Sequence, residues 1–169
     1  MSDHDHRGEL STAARRRIDL ILLALVVIAI DQVAKVLATA HLDPSRPIEL
    51  VGSLLRLVPA ENSGGIFGLF PGSSPLFALL SATALVLLAL AYERAPDRLL
   101  LTVGYGALIG GALGNLLDRI SHGAVLDFID LGLGDLRIPL FNLADLAISL
   151  GVLALLLASW PRRRGPSQI

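Results

Sequence analysis

The sequence predicts an all-α membrane protein with four transmembrane helices and a small extracytoplasmic β-rich insert between helices 1 and 2. Three observations lead there. Hydrophobic residues make up 53% of the 169-residue chain and charged ones only 17%, against about 45–50% and about 25% in soluble domains. Four apolar runs approach the ~20 residues that a bilayer-spanning helix uses. Between the first two lies a polar stretch in which residues 48–59, IELVGSLLRLVP, hold short β-compatible runs around a Gly-Ser turn signal.

Residues 1–17 are polar, end in Arg15-Arg16-Arg17, and are expected as a disordered cytoplasmic tail, because such a composition buries too little apolar surface to order itself. Residues 18–40 form the first span, interrupted in its second half by Asp31 and Lys35. Ala38-Thr39-Ala40 imitates a signal-peptide cleavage pattern, but the apolar run is longer than a typical h-region and further spans follow. Residues 41–72 are the β-like insert. Residues 76–92 are the second span, closed by a charged turn containing Pro96, and residues 99–120 are the third. In the third, Gly106, Gly110 and Gly114 recur every four positions, a helix face on which backbones approach closely. A second outer loop, residues 121–139, precedes the fourth span at residues 140–160, and residues 161–169 are a cytoplasmic tail. Residues 18–160 thus make one membrane domain. Arginines 15–17, 94, 98 and 162–164 fall at one end of the helices, which places that end and both termini in the cytoplasm and both polar loops outside.

Composition also excludes chemistry. The net charge of −1 gives no basic field for nucleic acid. With no Cys and no His pair at metal-ligand spacing, neither a metal nor an organic cofactor is expected. The reaction, if there is one, must rest mainly on Asp, Glu, Asn, Ser, Lys or Arg.

Charges inside spans cost about 2.5–3.5 kcal/mol each near the centre, so their placement is informative. Asp31 and Lys35 are four apart; Asn115, Asp118 and Arg119 fall at i, i+3 and i+4; Asn142, Asp145 and Ser149 fall at i, i+3 and i+7. Three helices therefore carry a polar stripe, all at the outward end, and the loops add Asn62 and Asp127. Each group also has a structural reading: Asp31 with Lys35 and Asp118 with Arg119 as ion pairs, Asn142 as a helix cap, Asn62 as a turn residue. Their coincidence at one depth favours a polar pocket at the outer membrane boundary. Two carboxylates meeting there would share a proton near neutral pH, the state an aspartic protease needs. Spacing alone leaves Asp118, Asp127, Asp130 and Asp145 open as members of that pair. A proton-coupled transporter is the rival class, but it wants its carboxylate near the midplane.

Five blocks, DQVAK (31–35), NSGGIFG (62–68), GGALGNLLDR (110–119), GAVLDFID (123–130) and PLFNLADLAI (139–148), occur in the order and spacing of a known family. In them the chain resembles the lipoprotein signal peptidases (signal peptidase II), bacterial four-helix aspartic proteases. The resemblance implies that Asp127 and Asp145 are the catalytic pair, with Asp31, Lys35, Asn62, Gly111, Asn115, Asp118, Arg119 and Asn142 lining or supporting the site. It further implies diacylglyceryl-modified prolipoproteins as substrates, cut on the N-terminal side of the lipidated Cys. Inhibition by globomycin, contact with membrane lipids and a place in the bacterial inner membrane follow in the same way.

Overall fold

A computed structural model describes residues 4–65 and 69–160. Four helices, α1 (His4–His41), α2 (Ser74–Arg94), α3 (Leu99–His122) and α4 (Leu143–Ser159), and four strands, β1 (Ile48–Val51), β2 (Leu55–Asn62), β3 (Val125–Leu133) and β4 (Leu136–Arg137), follow in the order α1-β1-β2-α2-α3-β3-β4-α4. Three helices are long and apolar enough to cross a membrane, and α4 is a shorter apolar helix. At ~1.5 Å per residue its 17 residues span about 25 Å, the low end of what a bilayer core requires. α4 begins at Leu143, later than the 140 expected from hydropathy, because Asn142 supplies its cap.

α3 is the hub and packs against each of the other three helices. Its glycines make this possible. A Cβ on Gly110 would come within 2.7 Å of the Val27 Cβ and 2.8 Å of the Ala24 carbonyl on α1, so only hydrogen fits there. The opposite faces of the bundle stay apolar and exposed, as in α2, where Leu79, Val86 and Leu87 are each at least 60% accessible. A helix that is apolar all round belongs in lipid.

α1 starts at His4, so the helix runs through residues expected as a disordered tail. The correction has a local cause: the Arg16 guanidinium stacks 4.5 Å from the Tyr92 ring centroid and donates to the carbonyls of Tyr92 and Ala95 at 2.7 and 2.9 Å. Tyr92, almost wholly buried, returns its hydroxyl to the Arg16 carbonyl at 2.8 Å. These contacts tie the end of α2 to α1 and order the chain upstream of the apolar run. Residues 1–3, and the tail expected over 161–169, lie outside the described residues.

The sheet also extends beyond the predicted insert. Its order is β1-β2-β3-β4, all antiparallel, so the second outer loop supplies half the strands. Two strands alone are marginal in water, and β3 completes the platform by pairing Ala60 with Asp127 and Asn62 with Val125. Pro59, which has no N–H to give, falls within the register shift between Leu57 and Ala60. α3 ends on Gly123 in the left-handed conformation (φ 74°), which turns the chain directly into β3. The sheet thus sits at the end of the bundle where α1 and α3 finish and α4 starts.

Overpacking at the α1–α3 contact is expected to lower stability: Gly110→Val should cost about 1–3 kcal/mol in detergent unfolding. Leu87→Val on the exposed face of α2 should stay within ~0.5 kcal/mol of the parent. Equal effects would show that the glycine face is not a tight seam.

Candidate active site

The site grows from the first turn of α4. Asn142 is the N-cap: its side-chain oxygen accepts from the Asp145 N–H at 3.0 Å, while its own N–H donates to Asp145 Oδ2 at 3.2 Å, a reciprocal capping box. The next free amide, Ala144 N–H, donates 2.9 Å to Asp31 Oδ1 on α1. Asp31 is completely buried and its other oxygen is 2.7 Å from Lys35 Nζ. The ammonium group is also 2.7 Å from Asp118 Oδ2 on α3 and donates 3.0 Å to Asn115 Oδ1. One buried cation therefore links two buried carboxylates and an amide across α1 and α3.

The amide then passes its orientation onward. Because Lys35 occupies the Asn115 oxygen, the Asn115 NH2 is left to donate to Asp145 Oδ1 at 2.8 Å. Asn142 Nδ2 donates to Asp127 Oδ1 at 2.7 Å and to Asn115 Oδ1 at 3.1 Å, and Asn62 Nδ2 donates to Asp127 Oδ2 at 3.0 Å. Asp127 and Asp145 are thus held by amides through the shared Asn142, and among the described residues neither makes an ion pair. Asp31, Asp118 and Asp130 are paired with cations. Asp118 pairs with Lys35, not with its neighbour Arg119, and Asp130 is clamped by Arg56 at 2.5 Å and by Arg137. Although burial opposes ionisation of Asp130, Arg137 and Arg56 hold its carboxyl below the usual range.

Asp127 behaves in the opposite way: burial pushes its carboxyl up to about 6, the Asp145 charge adds to the rise, and the amide hydrogen bonds oppose it. A cavity of about 270 Å³ opens on Asp127, walled by Ala60 to Gly64, Pro71, Pro139 and Leu140. Arg119 donates to the Gly64 carbonyl in the lining at 3.3 Å and to the Asn115 carbonyl at 3.3 Å. Gly111 lies away from the carboxylates and packs under the Ala144 carbonyl and Ile148, bringing α4 close to α3.

Of the residues singled out from the sequence, nine converge in this network; Gly111 acts only through packing. Three participants were missed. Gln32 donates to Asp118 at 3.0 Å and to Asp31 at 3.3 Å; its place beside Asp31 inside a span was a signal. Arg56 and Arg137 carried none, since their pairing with Asp130 depends on strand register. Among the described residues no His, Asp and Glu cluster fits a metal ion.

A polytopic helical bundle with two amide-held carboxylates at one end, beside a cavity, fits a membrane hydrolase. Residues 23–161 match the family described as signal peptidase (SPase) II, and the chain belongs to that family of membrane-embedded bacterial proteases. The lipoprotein signal peptidase of Moorella thermoacetica is 39% identical over 80% of this chain and 88% of its own. That of Halothermothrix orenii is 33% identical over 85% and 96%. A bacterial membrane enzyme solved by the in meso method at 2.3 Å resolution superposes with a TM-score of 0.74 at 29% identity, over 86% of this chain and 93% of that one.

The ion cluster gives a stability test. Lys35→Met leaves two buried carboxylates without their cation and is expected to cost about 3–5 kcal/mol in detergent unfolding. Adding Asp31→Asn and Asp118→Asn removes the stranded charges while keeping an oxygen for Ala144 N–H, so the triple variant should recover part of the loss. A triple variant less stable than Lys35→Met alone would contradict the cluster's role.

Proposed function

We propose that the protein removes the signal peptide from diacylglyceryl-modified prolipoproteins, cutting on the N-terminal side of the lipidated Cys, with Asp127 and Asp145 activating a water. The observation that carries this reading is that these two carboxylates alone among the site's acids face amides instead of cations. A carboxylate neutralised by Lys or Arg cannot exchange a proton cheaply; this pair can hold one between them.

Asp127, which burial raises to about 6, holds the shared proton and directs it to the scissile carbonyl oxygen. Asp145, oriented by Asn115 and by the first turn of α4, takes a proton from water as the water oxygen attacks the carbonyl carbon. The tetrahedral species then collapses: the C–N bond breaks and the amine of the lipidated Cys leaves with a proton from the pair. No covalent enzyme intermediate forms. Asn62 and Asn142 position Asp127, while Asp31, Lys35, Asp118 and Arg119 hold the helices that present the pair.

Orientation follows from charge. Arg16, Arg17, Arg94 and Arg98 lie at the opposite end of the bundle from the carboxylates, and the positive end faces the cytoplasm. Both termini are then cytoplasmic and the pair lies near the extracytoplasmic face of the inner membrane, level with the headgroups. A diacylglyceryl anchor fixes its own Cys at that depth, bringing the scissile bond to the acids. Cyclic peptides of the globomycin type would compete for the cavity on Asp127.

Asp127→Asn and Asp145→Asn should each reduce cleavage of a lipidated prolipoprotein by about 10²–10⁴-fold or more without loss of membrane insertion; a gel-shift assay in detergent checks both. Activity near the parent's in either variant would refute the pairing. In the parent, kcat/KM should fall as pH rises through about 6, where Asp127 loses its proton in the free enzyme. A profile flat across that value would remove Asp127 from the acid role.

A further inference from the structure

A second cavity, of about 520 Å³, lies at the far end of the bundle from the acids. The C-termini of α2 and α4 converge there with the N-terminus of α3, and Arg94, Arg98, Tyr105 and Trp160 line it. Its volume falls within the ~300–1,000 Å³ of small-molecule sites. We infer that this cavity binds the phosphodiester headgroup of an anionic phospholipid.

Charge, unspent donors and position carry the assignment. Each guanidinium offers five N–H donors. Among the described contacts Arg94 uses one on the Leu90 carbonyl at 3.0 Å, and Arg98 one on the Ala158 carbonyl at 3.2 Å. Those bonds cover carbonyls at the ends of α2 and α4, which would otherwise repel an anion, and leave most of each fork free. Among the described residues the lining holds no counter-charge: Glu93 is taken by Arg17 at 2.6 Å, and Asp97 is not among the lining residues. The N-terminus of α3 adds a positive dipole end.

The apolar surroundings distinguish a lipid from a soluble phosphate. Trp160 is 77% exposed and Leu99 80%, beside the lipid-facing surface of the bundle. Aromatic rings of this kind sit at headgroup level in membranes, and basic pockets between spanning helices favour anionic headgroups. A phosphate on Arg94 and Arg98 would leave its acyl chains running along that surface.

Native mass spectrometry of the full chain, titrated with phosphatidylglycerol, phosphatidylcholine or inorganic phosphate, tests the site. At about fivefold per engaged Arg, the parent should prefer phosphatidylglycerol over phosphatidylcholine by about 25-fold. Arg94→Gln with Arg98→Gln should abolish the preference, the double Lys variant should retain part of it, and Arg46→Gln at the sheet end should leave it intact. Both double variants should still cleave substrate in detergent, which shows that they fold. An equal affinity for the two lipids in the parent, or a preference surviving in the double Gln variant, would overturn the proposal. Displacement of the lipid by equimolar inorganic phosphate would overturn the lipid assignment.

Discussion

The arrangement depends on the buried ammonium of Lys35, 2.7 Å from both Asp31 and Asp118. Burying three charges is costly unless every one is paired and hydrogen-bonded, and the chain meets that condition with partners on α1, α3 and α4. Asp31 closes the first turn of α4, Gln32 joins Asp31 to Asp118, and Lys35 fixes which way Asn115 points. A Cβ on Gly114 would come within 2.7 Å of Asp31 Oδ2, so the close approach of α3 to α1 and the ion cluster require one another. The cluster therefore sets the positions of three helices and, through Asn115, the orientation of the Asp145 carboxyl.

Asn142 joins the start of α4 to the sheet through different atoms of one residue. Its backbone and side chain cap α4 through Asp145, and its remaining amide hydrogens reach Asp127 on the sheet. The cap of α4 and the contact to Asp127 therefore come from one residue. The same economy explains why the site needs β3: Asp127 can face α4 only because β2 receives β3 as a partner and Gly123 turns the chain from α3 into that strand. The sheet is the bracket that carries one acid to the other.

Much of this was legible in the sequence. Hydropathy located the four helices, the glycine series marked the seam of α3, and the i, i+3, i+4 stripes marked the end at which polar residues gather. Those signals are local and periodic, and the lipid environment enforces them. Spacing did not separate Asp127 and Asp145 from Asp118 and Asp130; only the resemblance did, and the geometry separates them by their partners. What stayed hidden was set by long-range register: the pairing of β2 with β3, the Arg56–Asp130–Arg137 clamp, and the choice of Lys35 over Arg119 as the partner of Asp118. The ordering of residues before Ile18 was hidden for the same reason, since it rests on Tyr92, 76 residues away along the chain from Arg16.

A proton shared by Asp127 and Asp145 in the resting enzyme would be visible to infrared difference spectroscopy. Between about pH 4 and about pH 8, the parent should lose a carboxylic-acid C=O band centred near the value of about 6 for Asp127, and that band should be absent or displaced in both Asp127→Asn and Asp145→Asn. A spectrum in which every carboxyl titrates in the ordinary range, or a band unchanged by both substitutions, would contradict the account.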